Sequence, residues 1–127
     1  VKGTRSIAYT RGVMIAMLQV ESIRTAQEKF GKGKTMTPEQ VRWGLENLNL
    51  TQERLNELGF GKILRPIQTS CENHMGTDWS RIAQWDGAKF NVVSDWYQAD
   101  KSMVGPLVKE YGERYAKEKN IQIRDCK

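Results

Sequence analysis

The sequence predicts a small mixed α/β fold, and three stretches carry that prediction. From Tyr9 to Phe30 the chain reads as one long helix, apolar almost all round in its first half and apolar on a stripe through Val20, Ile23, Ala26, Gln27 and Phe30 in its second. At Thr37-Pro38-Glu39-Gln40 the residues spell a capping box, with Pro at the first helical position. Around Asp86-Gly87 two runs rich in aromatic and β-branched residues face each other, which is the pattern of a tight hairpin. With a helical tail, these give a long helix, a helical hairpin, a β-hairpin and a C-terminal helix in a single segment, residues 1–127.

Each element has its own start and stop. A short lead-in carrying Lys2 and Arg5 brings the chain to Thr10, a fair N-cap for the long helix, whose apolar beginning predicts an entry deep in a core. Gly31, in the run Gly31-Lys32-Gly33-Lys34, stands where a helix end wants a left-handed residue. In the second helix Val41, Leu45 and Leu48 repeat on one stripe, and Trp43, off that stripe, reads as a lid on the neighbouring helix. Thr51 opens a third helix that should bury Leu55 and Leu58 and stop at Gly59; Asn47 to Leu50 then joins two helices into a hairpin packed on the first. Pro66 makes Ile63 to Ile67 extended and confines any ladder there to an edge. Ser70 to Ser80 is polar and irregular, a loop. The last helix begins near Asp100 or Ser102, or nearer Gly105 because of Pro106, and runs to about Lys119 with Val104, Val108, Tyr111 and Tyr115 as its apolar stripe.

Bulk properties narrow the function classes. Hydrophobic residues at 39% and charged residues at 28% describe a chain that folds, long enough for one core. The net charge of +5 is spread along the chain, and its densest part, Lys29 to Lys34, reads as a solvated Gly-rich turn; no aromatic-basic module accompanies it, which argues against nucleic acid. Val13 to Leu18 is the longest apolar run, far too short to span a membrane, and no signal peptide precedes it. A chain beginning at Val1 is expected to be processed or partial.

The chemistry-bearing residues are few. His74 is the only histidine, so a histidine metal cluster is excluded; Cys71, His74 and Asp78 could be drawn as nucleophile, base and orienter, but they share one polar loop with no nucleophile-elbow pattern, and a solvated histidine is the better reading. The carboxylates are scattered without calcium-loop spacing, and Gly33-Lys34-Thr35 lacks the rest of a P-loop. No catalytic residue, metal or cofactor is therefore expected, and no enzyme. Cys71 and Cys126 are either two buried thiols or one disulfide; Cys126, in a polar tail, is a poor core residue, which favours the bond. At the start of the long helix, Tyr9, Arg11 and Gly12 put an aromatic and a cation beside unpaired backbone N–H groups, a plausible anion pocket, against the plainer reading of a surface Arg11 and a Gly12 that permits close helix packing.

The run Tyr9 to Gly31 (Tyr-x-Arg-Gly-Val-Met, then Val-Glu-x-Ile-Arg-x-Ala-Gln-Glu-Lys-Phe-Gly), with Gln84-Trp85-Asp86-Gly87 and Val92-Val93-Ser94-Asp95-Trp96, resembles the C-terminal part of the branched-chain amino-acid type substrate-binding proteins of ABC transporters. The resemblance covers nearly the whole chain. It implies the C-terminal segment of a two-lobed periplasmic-binding-protein fold, with the N-terminal portion of the fold outside this chain. It also implies a solute-binding component that holds a small polar solute (amino acid, amide or organic acid) in a cleft between lobes and delivers it to a membrane permease. In such proteins the start of the long helix faces the cleft, so Tyr9, Arg11 and Gly12 become ligand-binding candidates, Arg11 suiting a carboxylate by bidentate pairing. Export to the periplasm agrees with a Cys71 to Cys126 disulfide. The expected partners are the ligand, the permease and the remainder of a longer chain, with association through exposed apolar surface. The competing class is a self-standing basic interaction module for an acidic protein or nucleic acid.

Overall fold

The computed structural model describes residues 7–126; Val1 to Ser6, with the lead-in residues Lys2 and Arg5, and Lys127 lie outside it. The chain divides into two compact units, Val1–Thr77 and Asp78–Lys127.

The first unit is built on α1 (Ile7–Phe30), α2 (Pro38–Glu46), strand β1 (Asn49–Leu50), α3 (Gln52–Glu57) and strand β2 (Ile67–Gln68). α1 ends at Gly31, whose φ of +127° suits glycine alone and whose N–H donates to the Gln27 carbonyl at 2.9 Å. α2 begins on a complete capping box: the Thr37 hydroxyl accepts from the Gln40 N–H at 3.3 Å and the Gln40 side chain accepts from the Thr37 N–H at 2.9 Å. The segment expected to join two helices is instead strand β1, paired antiparallel with β2 in the register Asn49↔Gln68 and Leu50↔Ile67. That pairing closes the core: Leu48, Leu50, Leu55 and Ile67 are buried, with Met17, Leu18, Phe60 and Leu64 packed against them.

The face that α1 buries only partly matches the expected one. Ala26 of the expected stripe is buried, but its buried companions are Glu21 and Ser22, while Val20, Ile23 and Phe30 are exposed and the apolar start, Ile7 to Ile15, faces outward apart from half-buried Met14. The reason is steric. α2 crosses α1 at Gly44, where an added Cβ would collide with the Ser22 carbonyl and stand 3.0 Å from the Ala26 Cβ, so small residues define the contact and larger ones are turned away. The same crossing leaves Leu45 exposed, contrary to the stripe read for α2. Trp43 stands edge-on to Phe30 with ring centroids 5.3 Å apart.

The second unit contains β3 (Trp79–Ser80), β4 (Ala83–Trp85), β5 (Phe90–Val92), β6 (Tyr97–Gln98) and α4 (Lys101–Glu118). β3 lies inside the stretch expected to be loop, and pairs antiparallel with β6. β4 and β5 form the hairpin, with Trp85 opposite Phe90. Its turn is centred one residue later than expected, on Gly87 and Ala88. Asp86 closes it: its N–H donates to the Lys89 carbonyl at 3.1 Å, and its carboxylate accepts the Ala88 and Lys89 N–H groups, each at 2.9 Å. Asp100 caps α4, accepting the Ser102 N–H at 2.9 Å, so the helix starts before Pro106 and carries it inside.

Candidate functional site

The expected pocket at Tyr9, Arg11 and Gly12 takes its geometry from where α1 begins. The helix already includes Ile7, so Thr10 is not its N-cap, and the Arg11 and Gly12 N–H groups lie beyond the four that a helix start leaves unpaired. All three residues are exposed. A Cβ added at Gly12 would meet nothing within 4 Å, so close helix packing does not explain that glycine either.

The most strongly determined polar arrangement lies two turns further on. Glu21 is 5% exposed, and Arg54 of α3 reaches it with both ends of its guanidinium: Nε donates to Oε2 and Nη2 to Oε1, each at 2.8 Å. Arg54 Nη1 also donates to Glu57 at 2.8 Å, and Arg24 approaches Glu21 at 3.3 Å. The hydrogen bonds from Arg54 hold the Glu21 carboxyl below the usual glutamate range, against burial, which pushes it up; the nearby charges of Arg24 and Arg54 add to the lowering. Arg54 is correspondingly raised by Glu21 first and Glu57 second. This cluster clamps α3 onto α1 and contains no proton donor or nucleophile poised for chemistry. Nothing in the sequence announces it, because the partners are 33 residues apart.

The remaining candidates do not assemble into a reactive group. Neither cysteine is free: Cys71 and Cys126 are both disulfide-bonded. His74 Nε2 stands 3.7 Å from Glu46 Oε1 at the end of α2. In the second unit Asp78 is lowered although burial, the largest influence on it, pushes it up; Lys101, at 3.2 Å, and Gln98 outweigh that effect. Among the described residues no three His, Cys, Asp or Glu side chains gather as a metal would require. An open groove of about 490 Å³ runs along the exposed side of α1, lined by Val20, Ile23, Arg24, Gln27, Glu28 and Lys32. Gln27 in its lining donates from Nε2 to the Lys34 carbonyl at 2.9 Å.

No family model matches the chain, and no curated protein does. A solved structure does: the chain aligns over its full length, with a TM-score of 0.88 and 38% identity, to a protein described as an ABC transporter permease from the Pseudomonas fluorescens group. The chain spans 31% of that protein's length. The likeness overturns the resemblance to a branched-chain amino-acid type substrate-binding protein and the role of solute-binding component, because the matching protein is described as a permease itself and not as the partner of one. The residues that carried the resemblance lie on α1, in the hairpin and just after it, mostly exposed, and such a pattern speaks to a fold and leaves the role open. A self-standing basic interaction module gains no support from the match either. Among the described residues, no helix is long and apolar enough to cross a membrane.

Proposed function

We propose that this chain is a packing segment of an ABC-transporter protein, lying outside the lipid and contributing scaffold rather than chemistry to transport. The whole-chain likeness to part of the permease-described protein carries this reading. A non-catalytic role is supported by the state of the thiols, which are engaged in disulfide bonding. The disulfide-bonded state of Cys71 and Cys126 also supports an oxidising compartment such as the periplasm.

The test is made on the natural protein that carries this segment. An affinity tag at its C-terminus should recover, from detergent-solubilised membranes, an ATP-hydrolysing subunit whose phosphate release is abolished by mutating that subunit's nucleotide site. A tagged protein recovered free of any such ATPase would overturn the transport reading. Alkylation without reductant, followed by mass spectrometry, should find Cys71 and Cys126 in one cross-linked peptide pair; two alkylated thiols would overturn the disulfide.

A further inference from the structure

Two apolar stripes are exposed among the described residues. On α1, Tyr9, Val13, Ala16, Val20 and Ile23 are spaced alternately four and three residues apart, so they lie on one face, and all are exposed; this face is opposite the one that carries Leu18, Ser22 and Ala26 into the core. On α4, Val104, Val108, Tyr111 and Tyr115 share one face and are exposed as well, while Ala116, on another side, is the helix's one buried residue. A monomer surface does not ordinarily carry apolar helical stripes of this length.

We infer that these two stripes are internal faces, covered in the working protein by further polypeptide of the same protein, in the way the rest of a longer chain covers one segment of a fold. One observation chooses this occupant over a second copy of the chain: the same fold, at a TM-score of 0.88, occurs inside a protein of which it spans only 31%. This inference rests on the likeness of fold and on the exposed stripes, and stands apart from the transport reading. It gives the groove beside Val20 and Ile23 a role as a seat for packing side chains, and it turns Tyr9 into the first residue of a packing stripe.

The experiment uses the 127-residue chain alone and a chimera in which it replaces the matching part of the Pseudomonas fluorescens group protein. The chain alone should bind the hydrophobic dye ANS strongly, and the chimera should be a monomer that does not. Val20→Asp and Val108→Asp should leave the melting of the isolated chain unchanged, since both sites face solvent there, yet lower the midpoint of the chimera by roughly 5 °C or more. Lys109→Asp, on the other side of α4, should leave both unchanged. An isolated chain that is a discrete, ANS-silent dimer would overturn the inference in favour of a second copy. A chimera indifferent to both aspartates would overturn it outright. Neither result depends on whether the protein transports anything.

Discussion

The two units have similar proportions of apolar residues and arrive at opposite outcomes. In Val1–Thr77, Ala26, Leu48, Leu50, Leu55 and Ile67 are buried, whereas in Asp78–Lys127 Ala116 is the buried hydrophobic among the described residues. In the first unit α1 (Met17, Leu18), α3 (Leu55) and the strand pair (Leu50, Ile67) bring apolar side chains together, so each element supplies cover that another lacks. The second has two strand pairs, none longer than three residues, and one helix whose apolar stripe faces solvent. Short strand pairs bury little by themselves. Local signals were sufficient to form its elements, but a core needs a second layer.

That contrast can be broken most sharply in the middle of the first core. Leu55→Ala, at a site with no exposure, should cost about 2–5 kcal/mol in urea unfolding, whereas Val108→Ala in the isolated chain should stay within about 0.5 kcal/mol. Equal effects would show that the second unit has a core of its own. At the helix crossing, Gly44→Ala drives a Cβ into the Ser22 carbonyl and should cost about 1–3 kcal/mol, while Gly12→Ala, with open space around it, should be neutral or slightly stabilising by helix propensity. Thermal melts of the two variants side by side would decide this.

Glu21 sharpens the comparison through pH. Its carboxyl is depressed in the folded chain, so the unfolded chain binds more protons between the folded and the unfolded value; the stability from this pair is complete above about pH 4.5 and is lost as pH falls through the folded value. Glu21→Gln should cost about 1.5–3 kcal/mol at neutral pH and flatten that acid limb, as read from urea midpoints between pH 6 and pH 3. An acid limb unchanged by the substitution would remove Glu21 from the account. Among the destabilising changes the smallest belongs to the cap: Thr37→Ala should cost about 1 kcal/mol, with a small loss of helical ellipticity.

The candidate site was less legible than the fold. Tyr9, Arg11 and Gly12 drew attention because Thr10 looked like a cap, yet a hydroxyl before an apolar run marks a helix start only when the preceding turn is not itself helical, and Ile7 and Ala8 are. The buried face of α1 was misread for a similar reason. Periodicity found Val20, Ile23 and Phe30, a true stripe, but a helix with two apolar sides does not say which one the nearest neighbour takes. Ser22 and Ala26, four apart and small, with Gly44 in the next helix, were the available signal for the close crossing.

What the sequence determined by itself is the set of features governed by interactions within one or two turns. The capping box at Thr37, the left-handed stop at Gly31, the Asp100 cap and the presence of a hairpin at Asp86 to Lys89 all follow from side chains reaching backbone groups a few residues away. Only the tertiary structure decided that Asn49 and Leu50 pair with Ile67 and Gln68, that Glu21 is buried against Arg54, and that α1 keeps Val20, Ile23 and Phe30 outside. Those outcomes depend on contacts tens of residues apart. Their energies are set by which surfaces are brought together, and a local pattern does not contain that information.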